Sequence, residues 1–302
     1  MNEKISNFKQ VASVTRYQIT SGKEQGLNVI DCNNGKLRFL LNESKGLDIM
    51  QLYHNGVNVS FLSKNSFTNR EINFENRFEG GMLYTCGFDS VAKRDGYEMH
   101  GTYHNSNAEV THVECSERGI IVEASIRNSA LFGKNLVIKR RVYTEINGDS
   151  VRVSDTLVNE AYGPEDYCVL YHVNFGYPML DEGAFITANY DNIEPVDAWA
   201  NEHIEKAMMI ERPEALKPET CYFISMNEPT VSLTNEKLGK KCTLTYSGDT
   251  LPCFVEWKSM ASGDYALGLE PSTTLLHNKF EYDTIGAGES IDFFVEITVE
   301  SI

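Results

Sequence analysis

The chain has 302 residues, of which 41% are hydrophobic and 23% charged, as in a globular protein with enough apolar material for a sizeable core. The formal net charge is -16 with no basic patch, which excludes a nucleic-acid partner because binding to phosphate backbones needs clustered Lys and Arg. Seven cysteines without CxxC pairs predict reduced thiols, no disulfide and no zinc site.

The N-terminal stretch MNEKISNFKQVASVTRYQIT lacks the apolar core of a signal peptide, and no apolar run along the chain is long enough to span a bilayer. We therefore expect a cytoplasmic protein that has no membrane partner. No internal repeat, low-complexity tract or Gly/Ser linker divides the sequence, so we predict a single domain over residues 1–302.

Most of the chain alternates apolar and polar side chains at period two, as in GIIVEASI, NLVIKRRVYTEI and DSVRVSDTLVN. Asn-Gly at 34, 55 and 147 and Ser-Gly at 247 and 262 predict the turns between such strands. The segment NEHIEKAMMIERPEALKPE predicts only short helical turns, because Pro213 and Pro218 interrupt it. These patterns predict an all-β, mainly antiparallel fold, a large β-sandwich with few short helices.

The first stretch that could carry chemistry is NRFEGGMLYTCGFDS, where Arg77 precedes a glycine pair. Glycines let the backbone approach a ligand closely, so the Arg77 guanidinium can donate hydrogen bonds to a sugar or a carboxylate. The alternative is a surface salt bridge. In MHGTYHN, His100 and His104 have the spacing of a helical metal site, but Gly101 disfavours a helix and no third ligand follows. We expect no metal.

The apolar stretch YHVNFGYPMLDEG is interrupted by a histidine and an asparagine. In a strand, His172, Asn174 and Gly176 share the face opposite to the apolar residues. This face combines a titratable donor, hydrogen-bonding capacity and free space, which predicts a concave ligand site. The alternative is a histidine with a structural role.

A later stretch, LPCFVEWKSM, turns Glu256 and Lys258 to one strand face, where they either pair with each other or reach a ligand. In GDYALGLEPS, Glu270 follows small residues that leave room in front of its carboxylate, and Pro271 is expected to end the ladder. A glutamate on an exposed surface is the alternative. Glu256 and Glu270 also permit a weaker hypothesis, the carboxylate pair of a glycoside hydrolase facing one site.

The order of these motifs resembles the aldose 1-epimerase, or galactose mutarotase-like, superfamily, and most closely its mutarotase-related branch. The resemblance runs from about residue 40 to the C-terminus, through GLDIMQLYHNG, RFEGGMLYTCGF, MHGTYHN, YHVNFGYPMLDEGAFITANYDNIEPVD, LPCFVEWKSMASGDYALGLEPS and AGESIDFFVEITV. It implies a large antiparallel supersandwich with a sugar-binding groove on the concave face of one sheet.

The resemblance also implies roles for individual residues. His172 matches the proposed general acid of the family and Glu270 the proposed general base. His100 matches a histidine that holds the ring oxygen or a neighbouring hydroxyl of the substrate, and Arg77 a substrate-contacting arginine. The family implies no cofactor, because both steps of ring opening are proton transfers.

Two departures from the family pattern concern the substrate. His104 stands where sugar-phosphate epimerases carry an arginine, and Thr102 stands where the nearest branch has the arginine of His-Gly-Arg, which disfavours a phosphorylated sugar. We therefore expect interconversion of the α and β anomers of a free monosaccharide, with Asn174, Glu256 and Lys258 as further substrate contacts. A carbohydrate-binding protein without turnover is the alternative on the same fold, and a homodimer is left open.

Overall fold

The computed structural model describes residues 3–276 and 281–302. Within these ranges the chain forms eighteen strands: β1 Ser13–Gln18, β2 Asn28–Asn33, β3 Leu37–Asn42, β4 Asp48–His54, β5 Val57–Asn58, β6 Leu83–Phe88, β7 Ala108–Ser116, β8 Gly119–Ser129, β9 Asn135–Thr144, β10 Ser150–Asn159, β11 Glu165–Gly176, β12 Phe185–Pro195, β13 Thr220–Asn235, β14 Lys240–Tyr246, β15 Cys253–Ala261, β16 Asp264–Ser272, β17 Asp283–Ile285 and β18 Ser290–Ser301.

Helices are few and short. The α-helices α1 and α2 span Phe74–Arg77 and Ala198–Glu202, and 3-10 turns span Phe8–Gln10, Tyr103–Asn105 and Ile204–Lys206. The all-β prediction is therefore confirmed, as are short helical turns in the segment before Pro213. Among the described residues, no helix is long and apolar enough to cross a membrane.

The strands form two antiparallel sheets. The small sheet has the order β1-β2-β3-β4-β5, and the large one β17-β11-β16-β15-β13-β14-β18-β10-β9-β8-β7, with β12 beside β13 and β6 beside β11. The predicted runs from 119, 135 and 149 form β8, β9 and β10, and the Asn-Gly pairs at 34, 55 and 147 connect neighbouring strands of hairpins. Period-two alternation was sufficient to find these elements because one face of each strand is buried.

The core joins the two sheets. Phe39 and Ile49 of the small sheet belong to the same cluster of buried side chains as Val153 and Leu269 of the large sheet. Each large apolar side chain that is removed from water contributes about 1.5–3 kcal/mol. The predicted β-sandwich architecture is therefore confirmed, and shared burial holds the sheets together.

Strand β11 lies inside the large sheet, between β6 and β16, and its residues from Tyr167 onward are buried on both faces. The free space predicted beside His172 does not extend along the whole strand. The Phe61 amide donates to the carbonyl of Asn174, and a side chain added at Gly176 would meet the Phe61 backbone at 2.6 Å. The segment that follows β5 of the small sheet thus covers this end of β11.

Candidate active site

His172 and Glu270 face each other across β11 and β16. The register pairs Val173 with Leu269 and Asn174 with Gly268, which sets His172 opposite Glu270 on the same face of the sheet. Their Nε2 and Oε1 atoms lie 3.1 Å apart, and the side chains of His172 and Glu270 are 5% and 1% exposed. The expected end of the ladder at Pro271 is wrong, since β16 pairs with β15 as far as Ser272 and holds Glu270 inside the sheet.

The pair combines close approach with incomplete hydrogen bonding. Glu270 Oε1 and His172 Nδ1 are buried and make no hydrogen bond with the residues that the structure describes, so the 3.1 Å contact lacks hydrogen-bond alignment. Buried polar atoms without partners are rare in folded proteins and often mark functional sites.

Burial favours the neutral form of both groups. It raises the pKa of Glu270 well above its ordinary value, and the negative charge of Glu219 acts in the same direction. Burial also lowers the pKa of His172 well below its usual range, with His100 adding to this effect and Asn174 opposing it. Burial therefore favours a neutral pair that holds one transferable proton on the carboxyl group.

The pair opens into a cavity of about 860 Å³. Its walls combine aromatic and polar side chains, among them Phe78, His100, Lys217, Glu219 and Trp257. The rings of Phe78 and Trp257 lie 5.7 and 5.5 Å from the His172 ring, measured between centroids. The size and the mixture of apolar walls with a few polar groups are typical of small-molecule sites.

His100 reaches the same cavity from the loop after β6. Its Nδ1 donates to the carbonyl of Val91 at 2.6 Å, because a carbonyl oxygen can only accept. Burial lowers the pKa of His100 to about 4, so near neutral pH its Nε2 keeps a lone pair. The His100 backbone adopts φ +62°, a strained conformation of the kind that concentrates at functional sites.

The structure does not bring Arg77 into the cavity lining. Arg77 ends α1 and is 2% exposed. One guanidinium nitrogen donates to Asn105 Oδ1 at 2.9 Å, and another contacts the Glu98 carboxylate. Of the residues that the structure describes along the cavity wall, none is an arginine.

Asn174 lies on the His172 face but is fully buried, and the described cavity wall does not include it. Its Nδ2 donates to the carbonyl of His172 at 2.9 Å. Direct contact with a ligand in the cavity would require Asn174 to leave this position.

Glu256 and Lys258 point to the other face of the sheet. Val255 pairs with Glu270 in the β15–β16 ladder, so the next residue, Glu256, faces away from the cavity. Lys258 Nζ lies 3.4 Å from Glu256 Oε1 and donates to three backbone carbonyls. Burial raises the pKa of Glu256 to about 7, and Lys258 acts against this shift. The two carboxylates of the hydrolase hypothesis therefore do not face one site.

A cluster of buried charged side chains surrounds His104 and was not predicted from the sequence. His104 Nδ1 lies 2.8 Å from Asp48 Oδ2, and its Nε2 lies 2.7 Å from Glu79 Oε1. Arg140 contacts Asp48 at 2.5 Å and binds both carboxylate oxygens of Asp155, at 2.8 and 2.7 Å. We call these five residues the buried charge network.

The buried charge network favours charged side chains. Burial would lower the pKa of His104, but the carboxylates of Glu79 and Asp48 outweigh burial and raise it. Burial likewise acts to raise the pKa of Asp48, but Arg140 and His104 reverse the effect and lower it. The network links β4 of the small sheet to β9 and β10 of the large one, so it stabilises the packing of the two sheets.

Gly268 is a further site residue that sequence patterning identified only as a small side chain. A Cβ atom at this position would lie 2.3 Å from Glu270 Oε1 and 2.9 Å from His172 Cε1. Gly268 thus permits the approach of His172 and Glu270. Its position two residues before Glu270 puts both on one strand face, but the need for glycine depends on the register with β11.

Comparisons with known proteins agree with this fold. The family profile described as "Domain of unknown function (DUF4432)" matches residues 24–292. No curated protein sequence matches the chain. Among solved structures, a proposed aldose 1-epimerase from Klebsiella pneumoniae subsp. pneumoniae superposes with a TM-score of 0.86 at 22% identity, covering 97% of this chain and 86% of the other.

Two further structures show the same architecture. A galactose mutarotase-like protein from Clostridium acetobutylicum has a TM-score of 0.71 at 15% identity, covering 97% of this chain and 100% of the other. A galactose mutarotase-like protein from Lactobacillus casei has a TM-score of 0.64 at 13% identity, covering 90% of this chain and 100% of the other. The galactose mutarotase-like fold implied by the sequence motifs is therefore confirmed.

Proposed function

Because this chain belongs to the DUF4432 family and has the galactose mutarotase-like fold, we propose that it is an aldose 1-epimerase-type isomerase. It interconverts the α and β anomers of a free sugar through acid- and base-catalysed ring opening. The observation that carries the proposal is the contact of 3.1 Å between His172 Nε2 and Glu270 Oε1 at the wall of a cavity large enough for a monosaccharide.

The reaction needs one proton acceptor and one proton donor. The base removes the proton of the anomeric hydroxyl, the acid protonates the ring oxygen, the C1–O5 bond breaks, and the C1–C2 bond of the open aldehyde rotates before closure. Each positioned proton transfer contributes roughly 10²–10⁴-fold to the rate.

The protonation state of the pair assigns the roles in the opening step. The family resemblance makes Glu270 the base and His172 the acid, which requires the charged form of both. Burial favours protonated Glu270 and neutral His172, so in our proposal His172 accepts the anomeric proton and Glu270 protonates the ring oxygen. Ring closure then uses the two groups in the opposite sense and returns the pair to its starting state.

His100 has a different role in this proposal. Its neutral Nε2 can accept a hydrogen bond but cannot donate one, so it suits a sugar hydroxyl rather than the ring oxygen. Trp257 offers an aromatic wall for the C–H groups of a pyranose, and its Nε1 donates to Glu219 Oε2 at 2.8 Å, which fixes the plane of the indole.

The charges around the cavity favour an uncharged substrate. Besides Glu270, whose protonated form is neutral, the carboxylates of Glu75, Glu219 and Asp264 line it. Lys64 contacts Asp264 at 2.6 Å, and Lys217 contacts the carboxylates of residues 211 and 214 at 3.2 and 3.0 Å. A phosphate or carboxylate on the sugar would meet unfavourable negative potential here, because both lysines are already paired.

The test is direct measurement of anomer exchange. NMR exchange spectroscopy on a panel of neutral hexoses and pentoses should show faster α–β interconversion with the protein than with buffer. Sugar phosphates and uronic acids of the same ring configuration provide the charge control and should be poorer substrates.

The second candidate function is carbohydrate binding without turnover, which the same cavity and aromatic wall would support. The presence of an acid–base pair in the cavity favours the enzyme. Saturation-transfer NMR separates the two: a sugar that binds while its anomers exchange only at the buffer rate would favour the binding protein.

A further inference from the structure

Asn174 and His172 each contain a buried polar atom that lacks a partner, and the two atoms are complementary. Asn174 Oδ1 and His172 Nδ1 make no hydrogen bond with the part of the chain that the structure describes. The residues are two apart on β11, so their side chains share one face of the strand. An amide oxygen accepts, and a ring N–H donates.

The orientation of the Asn174 amide follows from its other contact. Its nitrogen donates to the His172 carbonyl at 2.9 Å, and a carbonyl oxygen can only accept. The opposite orientation would set two oxygens against each other. The amide oxygen is therefore the atom left for the imidazole, and Asn174 acts to raise the pKa of His172, against the larger effect of burial.

We propose that Asn174 is a positioning residue: its amide oxygen, unpaired among the residues that this structure describes, takes up the hydrogen bond from His172 Nδ1, which keeps the imidazole proton on Nδ1 and leaves the lone pair of Nε2 on the side of Glu270. This inference rests on the proposed function of the His172–Glu270 pair. Asn174 itself does not touch the sugar, since it is fully buried outside the described cavity wall.

The tautomer matters because the pair shares one proton. With Nδ1 protonated, the Nε2 lone pair faces the carboxyl group and can take a proton from either Glu270 or the anomeric hydroxyl. With Nε2 protonated, two donors would face each other over 3.1 Å and the base would be lost. Fixing a histidine tautomer through the other ring nitrogen is a general property of buried catalytic and metal-binding histidines.

Other titratable groups face His172 and remain constant in the test. They are Glu270 from β16, Tyr84 and Cys86 from β6, His100 from the loop after β6, and Glu219 and Cys221 at the start of β13. A change confined to position 174 therefore alters one neighbour of the imidazole and leaves these unchanged.

The experiment is a ¹H–¹⁵N spectrum of the histidine rings in the full chain without sugar, with the His172 signals identified by their loss in His172→Gln. The wild-type protein should show the Nδ1–H tautomer near neutral pH. Asn174→Leu should give a mixture of tautomers, and Asn174→Asp should raise the pKa of His172 by one unit or more. A wild-type Nε2–H tautomer, or a spectrum of Asn174→Leu identical to wild type, would overturn the inference.

Activity measurements supply a second readout. Asn174→Leu should lower kcat for anomer exchange roughly 10–100-fold with KM unchanged. Asn174→Asp should keep more activity and move the pH profile toward alkaline pH. A rise in KM at unchanged kcat would instead mean direct contact with the sugar and would overturn the inference. If Asn174→Leu does not fold, Asn174→Ala replaces it with the same expectations, because alanine also lacks an acceptor.

The two readouts separate this inference from the proposed function. A wild-type protein that accelerates no anomer exchange would overturn the proposed function, while the tautomer and the pKa response would still decide the role of Asn174.

Discussion

Two buried histidines lie on either side of Tyr84 and favour opposite charge states. Tyr84 stacks on the His104 ring with centroids 3.7 Å apart, and across the β6–β11 ladder it pairs with His172. Both imidazoles are almost fully buried. His104 contacts a carboxylate with each ring nitrogen and has a raised pKa, whereas His172 lies 3.1 Å from Glu270 without an aligned hydrogen bond and has a lowered pKa.

Because both histidines are buried, burial alone does not explain their opposite pKa shifts. The presence or absence of hydrogen-bonded carboxylates does. The buried charge network offsets the cost of desolvation with several ion pairs and hydrogen bonds, which makes it suited to holding two sheets together. The His172–Glu270 pair leaves part of that cost uncompensated. An arrangement of this kind lowers stability but keeps a proton available, which is typical of catalytic sites.

The largest expected effect belongs to Glu270→Gln. This variant removes the transferable proton and should slow anomer exchange, followed by polarimetry, by roughly 10³-fold. Its free energy of unfolding should rise by about 1–2 kcal/mol. The folded pKa of Glu270 is raised, so wild-type stability falls as pH rises above about 4.5, and the advantage of the variant should grow toward neutral pH. Equal or lower stability would contradict an uncompensated pair.

Arg140→Met is the matched change in the buried charge network. It leaves Asp48 and Asp155 buried without their cation and should lower the free energy of unfolding by about 3–5 kcal/mol, measured by urea denaturation. The fraction that remains folded should exchange anomers at close to the wild-type rate. A fall in activity per folded molecule as large as in Glu270→Gln would contradict the view that the buried charge network serves stability and the His172–Glu270 pair serves turnover.

Gly268→Ala tests the approach of the pair without removing either group. The added methyl group must displace Glu270 or His172, so turnover should fall roughly 100-fold, as is typical of a misplacement of about 1 Å. Gly163→Ala is the control, because a Cβ added at Gly163 has no neighbour within 4 Å and the backbone there does not have a positive φ. Wild-type turnover in Gly268→Ala would show that the 3.1 Å contact is unimportant.

The same replacement at both histidines, His172→Gln and His104→Gln, compares how each one makes stability depend on pH. The raised folded pKa of His104 means that its stabilisation is fully present below about pH 6.5 and is lost as pH rises through that folded pKa. The lowered folded pKa of His172 means that it costs stability as pH falls below about 6.5. Thermal unfolding near pH 5.5 should therefore show destabilisation, by about 1–2 kcal/mol, in His104→Gln and relief of acid sensitivity in His172→Gln. If the stability of both variants changed with pH in the same way, the proposed difference in charge state between the two histidines would be wrong.

The sequence was sufficient for the strands and for the faces of individual side chains. Period-two alternation set His172, Asn174 and Glu270 apart from the apolar faces, and the order of motifs indicated the fold. The sequence did not give the register that sets His172 opposite Glu270, because pairing between distant strands depends on the packing of the whole sheet.

The positions of the charged side chains were harder to predict. Arg77, Glu256 and Lys258 were expected at the substrate, yet each is held by protein partners away from the cavity. The buried charge network was missed because its members come from strands and loops far apart in sequence, and an isolated charged residue in such a segment has no local signal. The roles of the site residues and the single-domain organisation remain predictions.

The most direct measurement of the central claim is a double-mutant cycle for anomer exchange, with wild type, His172→Gln, Glu270→Gln and the double variant assayed by NMR exchange spectroscopy near pH 7. If the two groups pass one shared proton, either single change removes the unit, and the double variant should be about as slow as each single variant. Rate losses that multiply in the double variant, or single variants that retain the wild-type rate, would contradict the account.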